Sequence, residues 1–242
     1  MSSLFLREDL GDAAIGAVVT LRGDEAKHAV AVNRVRVGDL VLVGNGRGLV
    51  AECTVTAAQP RELELRVERS ERHAAAAPGI RLAQALAKGD RDERAVQMAT
   101  EMGISSVIPW QAARSVSRWD AAKQAKGIAR WQTIAREAAK QSIRPFVPEV
   151  EPVTDAAGLC ARAGVERVLV LDPRAATPLS GIRVDDRPIV LVIGPEGGLS
   201  DDELAAFEAA GAERVVLGDT VLRTSTAGPA ALAVLNVVTG RW

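Results

Sequence analysis

Ile189-Val190-Leu191-Val192-Ile193-Gly194-Pro195-Glu196-Gly197-Gly198-Leu199-Ser200 is the stretch whose reading decides the fold. Five consecutive apolar residues, four of them Val or Ile with Leu191 at the centre, read as a strand buried on both faces, as in parallel sheets covered by helices. The glycines that follow give a tight turn, and the lack of a Cβ lets a ligand come close. Ser200 and Glu203 have the spacing of a capping box, so a helix begins there. A second segment, Leu217-Gly218-Asp219-Thr220-Val221-Leu222-Arg223-Thr224, also follows β-branched apolar residues and precedes a helix-like stretch. Either segment alone reads as an ordinary turn. Together they read as two ligand-binding loops.

Outward from these loops, strand and helix patterns alternate: strand 80–87, helix 91–102, strand 105–110, helix 120–142, helix 155–163, strand 167–171, strand 189–193, helix 200–210, strand 214–217 and helix 227–239. That alternation predicts an α/β fold with a largely parallel sheet covered on both faces. Ser225 and Thr226 read as caps of the last helix, and Gly228-Pro229 as its start. From Leu4 to about Val67 the pattern changes to short strands at 17–21, 40–43, 49–55 and 63–67, with a short helix over Asp24–Arg34. The tract Gly44-Asn45-Gly46-Arg47-Gly48 is followed by strand rather than helix, so it reads as a hairpin turn without a ligand. Residues 69–79 are charged, then alanine-rich, then broken by Pro78-Gly79, which predicts a linker. Two domains follow, residues 1–73 and 74–242.

An apolar fraction of 48% is ample for two cores, and no apolar run approaches the roughly 18 residues of a membrane span. Met1 to Asp9 lack the basic and apolar regions of a secretory leader, so a soluble cytoplasmic protein is expected. Cys53 and Cys160 lie in apolar surroundings outside any C-x-x-C pattern and read as buried thiols. His28 and His73 have no ligand-spaced neighbours, so no metal is expected, and no hydrolase elbow or zinc-protease helix occurs. No lysine follows Gly197-Gly198, which argues against triphosphate binding.

The net charge of −1 conceals an uneven distribution: 10 basic and 11 acidic residues over 1–80, 12 and 6 over 81–144, 8 and 14 over 145–242. A basic middle fits a localised phosphate-contacting surface, although a charge cluster is more commonly just a solvated face. In the helix predicted over 120–142, Arg130, Glu137, Gln141 and Arg144 recur at separations that place them along one face. Ile128, Trp131, Ala135 and Ala138 fall on another. With Arg114, Arg118, Lys123 and Lys126 nearby, that face is the candidate RNA-binding surface, through phosphate contacts. Trp110, Trp119 and Trp131 can stack bases, but core packing is their expected role.

Both loops, together with Lys88-Gly89-Asp90-Arg91, Ala99-Thr100-Glu101-Met102-Gly103 and Glu137-Ala138-Ala139-Lys140-Gln141-Ser142-Ile143-Arg144, resemble the SPOUT-class methyltransferases that make 3-methyluridine in 16S ribosomal RNA. The resemblance spans nearly the whole chain. It implies a SPOUT-type domain with a trefoil knot, preceded by a small PUA-like β-barrel whose pattern includes His28 and residues 33–39, with His28 in a structural role. It also implies S-adenosylmethionine as cofactor, 16S rRNA or the small ribosomal subunit as partner, and a homodimer, with the apolar last helix a candidate interface.

Ligands of open α/β sheets sit at the carboxyl ends of strands. The cofactor-binding residues implied are therefore Leu171, Asp172, Ile193, Gly194, Glu196, Gly197, Gly198, Leu217, Gly218, Val221, Leu222 and Thr224. Leu171, Ile193, Leu217 and Leu222 would cover an adenosyl group while also serving the core. Arg223 is the candidate catalytic residue, because a guanidinium stays charged and can stabilise negative charge on the pyrimidine carbonyls. It can equally tie its loop to Glu196 or Asp172. Many family members have an acidic residue where this chain has Ser225. That departure keeps open a noncatalytic RNA-binding or ribosome-assembly factor that retains the fold. A further alternative is an α/β enzyme acting on a small anionic substrate.

Overall fold

The computed structural model describes residues 3–242; Met1 and Ser2, the first of the residues read for a leader, lie outside them. Contacts group the chain into two compact units, 1–75 with 139–147, and 76–138 with 148–242.

The first unit holds β1 (Leu4–Leu6), β2 (Val18–Arg22), α1 (Gly23–Ala31), β3 (Leu40–Gly44), β4 (Leu49–Gln59) and β5 (Glu62–Arg72). They form a five-stranded sheet in the order β1-β3-β4-β5-β2. Alternate residues of β4 and β5, such as Ala51, Cys53, Val55 and Leu63, Leu65, Val67, are fully buried, the period of two expected of a half-buried strand. Burial pushes the Cys53 thiol up to about 11, helped by Glu68 and Glu52. Cys160, expected to be buried, is only half-buried. β5 runs on to Arg72, pairing that residue with Leu49, so the charged part of the expected linker is strand instead. Cross-strand pairing outweighed its charge.

The Gly44–Gly48 tract is the β3–β4 turn, as read, and Asn45 Oδ1 accepts from the amides of Arg47 and Leu49 at 2.8 and 3.1 Å. Its glycines have a further cause. Gly48 sits at φ +98, and a Cβ there would lie 2.6 Å from Phe146 and 2.8 Å from the His73 carbonyl. The Gly48 amide donates to Pro145 O and Val147 N donates to Gly46 O. Residues 145–147 thus dock on this turn. In the same unit Lys140 and Glu25 form a largely buried ion pair at 3.1 Å.

The second unit contains β6 (Ile80–Ala85), α2 (Arg91–Glu101), β7 (Ser106–Trp110), most of α3 (Ala121–Gln141), β8 (Glu149–Val150), α4 (Ala156–Cys160), β9 (Arg167–Leu171), β10 (Ile189–Ile193), α5 (Asp201–Ala209), β11 (Glu213–Val215) and α6 (Thr224–Val238). Its six strands, in the order β11-β9-β10-β6-β7-β8, are all parallel. Ile189, Leu191 and Ile193 of β10 enter one core with Trp131, Ala231 and Leu235, while Val190 and Val192 enter the other with Trp110, Leu204 and Phe207. Both faces are therefore covered, as the apolar run predicts. Trp110 meets Phe207 edge-to-face at 6.2 Å and Trp119 meets Trp131 at 5.2 Å, so these tryptophans are packing residues.

Several boundaries differ from the sequence reading. Helix 155–163 is α4 followed by a 3-10 turn over Ala161–Gly164, and the strand at 214–217 ends at Val215. The α3 helix stops at Gln141, and Ile143 has φ +54. The last helix begins at Thr224, not at 227, so Ser225 and Thr226 lie inside its first turn rather than capping it, and Pro229 is an interior residue. Proline there leaves the Ser225 carbonyl without its amide partner. The capping box at the start of α5 is present in both directions: Ser200 Oγ accepts from Glu203 N at 3.1 Å, and Glu203 Oε2 accepts from Ser200 N at 2.9 Å.

Candidate functional site

β9, β10 and β11 are parallel neighbours in close register, with Ile189 opposite Arg167 and Glu213 opposite Leu169, so their carboxyl ends lie side by side. A cavity of about 520 Å³ opens there, within the range of small-molecule sites. Of the residues expected to hold a cofactor, Leu171, Asp172, Ile193, Gly194, Glu196, Gly198, Leu217, Val221, Leu222 and Thr224 line it, as does Arg223. Leu171, Leu217 and Leu222 are only partly buried and pack against the underlying core, so they are core and wall together.

Gly197 and Gly218 do not line the cavity. A Cβ on Gly197 would point at Arg114, 3.1 Å from its Cβ and 3.3 Å from its carbonyl oxygen, and the left-handed residue of this turn is Gly198 at φ +67. Glycine at 197 therefore makes room for Arg114. The Arg114 guanidinium donates to the Gly197 and Leu199 carbonyls at 3.4 and 3.1 Å and reaches the cavity wall. Arg114, read as positive charge near the RNA-facing side of the helix at 120–142, is thus bonded to the first loop.

The acidic residues of the cavity are already engaged. Asp172 is 4% exposed and its Oδ2 accepts from Arg214 Nη2 at 2.6 Å and Nε at 3.1 Å, while Oδ1 accepts from the Arg174 amide at 3.0 Å. Burial alone would push its carboxyl up; the Arg174 amide and the two guanidiniums outweigh that and hold it below the usual range. Glu196 Oε1 accepts from the Lys88 amide at 2.9 Å and from Arg91 Nη1 at 2.6 Å. Desolvation raises it, but these hydrogen bonds and its own backbone contact win, and its pKa is lowered too. Neither residue braces Arg223. The Arg223 side chain is exposed, lies at the N-cap of α6 and makes no hydrogen bond or ion pair among the described residues.

Arg91 and Arg174 were missed as wall residues. Arg91 stands in the Lys88-Gly89-Asp90-Arg91 motif, which carried the signal, whereas Arg174 merely follows the strand end at Asp172. Thr224 does more than line the wall: its Oγ1 donates to the Gly194 carbonyl at 2.8 Å, joining the two loops.

From Leu217 through Arg223 no backbone N–H donates to another group of the described residues. Unspent amides above apolar walls suit a ligand with a heteroaromatic edge and flat apolar faces. An adenosyl group has both, so the residues present fit S-adenosylmethionine. A second cavity, of about 470 Å³, lies beside Arg81, Ser106 and Glu151. There Glu151 accepts from Arg81, Arg162 and Ser106 at 2.8, 2.5 and 2.7 Å, and these groups hold one another.

On α3, Ile128 is half-buried and Trp131, Ala135 and Ala138 are buried, while Lys123, Lys126, Arg130, Glu137 and Gln141 are exposed. The two faces are as the periodicity predicts. Arg130 donates to Glu93 at 2.8 Å, Lys123 pairs with Asp120, and Arg118 donates to the Ala113 carbonyl at 3.0 Å. Arg144 departs from this face, because it follows the end of the helix and is half-buried. Among the described residues no helix is long and apolar enough to cross a membrane, and no His, Cys, Asp or Glu group clusters to hold a metal.

Residues 75–236 match the model of the RNA methyltransferase domain, and residues 21–68 that of the RNA methyltransferase PUA domain. The ribosomal RNA small subunit methyltransferase E of Mycobacterium bovis is 41% identical, over 100% of this chain and 94% of the relative. The protein of the same name from Bacillus subtilis is 31% identical, over 91% and 90%. A crystal structure of the Neisseria gonorrhoeae ribosomal RNA small subunit methyltransferase E bound to S-adenosyl methionine superposes with a TM-score of 0.88 at 28% identity, over 98% of both chains. A putative methyltransferase from Legionella pneumophila, in complex with the same cofactor, gives 0.87 at 27% identity, again over 98% of both.

Proposed function

The chain belongs to the ribosomal RNA small subunit methyltransferase E family of RNA methyltransferases, and from that premise we propose that it methylates N3 of a uridine in 16S ribosomal RNA, with S-adenosylmethionine held in the cavity at the ends of β9, β10 and β11. The observation that carries this reading is the cavity itself: two loops, the second with backbone amides that donate to no group of the described residues, above Leu171, Ile193, Leu217 and Leu222. The cofactor supplies an activated methyl group on a sulfonium.

The protein's part is placement and charge. Leu171, Ile193, Leu217 and Leu222 enclose the adenosyl faces, the amides of residues 217–222 meet its edge, and Glu196, held by Arg91 and Lys88, keeps the first loop in place. Arg223, without a partner among the described residues, meets the uracil carbonyls at the rim and stabilises the negative charge that develops as N3 releases its proton to solvent water and takes up the methyl group. Exposed Lys123, Lys126 and Arg130 contact phosphates, with Arg118, Glu137 and Gln141 beside them. Residues 1–73 help to place the RNA, residues 74–242 carry out the transfer, and the active species is a cytoplasmic homodimer formed through α6.

Mass-spectrometric mapping of methylated nucleosides in 16S rRNA from cells with and without the protein tests the reaction. A single 3-methyluridine should vanish in its absence and return when purified protein, S-adenosylmethionine and small subunits are combined. An unchanged nucleoside map would refute it. An unchanged map together with defective small-subunit assembly in cells lacking the protein would favour the noncatalytic reading.

A further inference from the structure

Gln84 is a polar residue in the middle of a sheet. It lies on β6, between Ile193 of β10 and Pro109 of β7, with no solvent exposure. A buried amide is costly unless hydrogen-bonded. Its Nε2 spends both hydrogens, on Thr224 Oγ1 at 2.9 Å and on the Ala85 carbonyl at 3.1 Å, while its Oε1 is buried without a partner. The polar contacts of Gln84 among the described residues are thus both made through its donor.

Hydrogen counting fixes the direction of that donation. Thr224 Oγ1 has one hydrogen and gives it to the Gly194 carbonyl, which can only accept. Thr224 must therefore accept from Gln84, and Gln84 must present its NH₂. The result is a one-way relay from β6, through the first residue of α6, to the first residue of the glycine loop. Thr224 and Gly194 line the cavity and Gln84 does not. On the adjoining side Trp110 Nε1 holds the Ile193 carbonyl at 3.0 Å, so two successive carbonyls at the root of this loop are pinned by buried donors.

We propose that Gln84 is a positioning residue for cofactor binding: through Thr224 it registers the second loop against the first and so sets the separation of the two walls that close on S-adenosylmethionine. This rests on the reading of the cavity given above. The Gln84–Thr224 end of the relay is buried, with Gln84 0% and Thr224 5% exposed, while its Gly194 end meets the cavity.

The test is a double-mutant cycle read by calorimetric S-adenosylmethionine affinity, with the unfolding midpoint measured on the same samples. Gln84→Met and Thr224→Val should each weaken cofactor binding by about tenfold, the equivalent of a lost buried hydrogen bond. The double variant should lose no more than about threefold beyond the worse single one, because both changes cut one relay. Thr224→Ser keeps the hydroxyl and should stay within about threefold of the parent. A Gln84→Met protein with parental affinity, or losses that simply add, would overturn the proposal. Where Gln84→Met does not fold, Gln84→Asn, whose amide is one methylene too short to reach Thr224, takes its place; if neither folds, Gln84 serves the core alone and the proposal fails. A parent protein that does not bind S-adenosylmethionine would refute the reading of the cavity instead.

Discussion

Replacing Arg223 by lysine keeps one positive charge on the rim of the cavity and removes the planar fork of donors. The Arg223 side chain has no partner among the described residues, and the two carboxylates within its cavity are held by Arg91, Arg174 and Arg214. The folded state therefore loses nothing that the arginine was holding, and the unfolding midpoint should not move. Cofactor affinity should also hold, because Thr224, not Arg223, ties the second loop to Gly194. A donor aimed at charge that develops only in the transition state is worth about 10² to 10³ in rate, or roughly 3–4 kcal/mol. The expected result is a fall of that size in single-turnover methylation of small subunits at saturating S-adenosylmethionine, with both binding constants almost intact. A rate within about threefold of the parent, under about 1 kcal/mol, would remove Arg223 from the chemistry. A parallel fall in cofactor affinity would instead make it a loop-bracing residue, against the geometry.

Arg130→Ala should lower the salt dependence of RNA binding by about one unit of log–log slope, and Glu93→Gln, which frees Arg130 from its ion pair, should tighten binding at low salt; unchanged affinities in both would assign this face of α3 to solvent. Gly198→Ala places a side chain at φ +67 in otherwise open space, so it should destabilise the protein by about 1 kcal/mol through backbone strain alone, and an unshifted unfolding midpoint would contradict that. Asp172→Asn breaks a buried pairing with the partly exposed Arg214 and should lower stability by about 2 kcal/mol at neutral pH. Because the folded carboxyl titrates below its ordinary range, its contribution is complete above that range and is lost as pH falls through the depressed value, so denaturation curves of parent and variant should converge in acid; a constant gap at every pH would be the contrary result.

Long periodic segments of this chain were legible because a single cause acts on many residues. The run Ile189–Ile193 had to be covered on both faces, and the helical face of α3 had to pack through Ile128, Trp131 and Ala135. Short segments were not: β1 and β8 have three and two residues, too few for any period to show. The start of α6 was misplaced because Gly228-Pro229 is a strong local signal. What overrides it is the bond from Thr224 to a loop thirty residues earlier and to a strand residue farther still, which fixes the first helical residue from outside the helix.

At the site the divide lies between residue type and direction. Glycine loops, apolar walls and the position of Arg223 beside them could be read in order along the chain, since the loops follow strands that end at one edge of the sheet, but whether Arg223 pairs with Glu196 or Asp172 could not. Which glycine faces the cavity could not, because Gly197 and Gly198 differ only in that one turns toward Arg114 and the other takes positive φ. The same holds for Arg114 and Arg144. Charge and spacing placed both with α3, but Arg114 is drawn to the Gly197 and Leu199 carbonyls and Arg144 follows a helix that has already ended. Spacing along a helix predicts a shared face only while the helix lasts, so the reach of that argument toward RNA ends at Gln141.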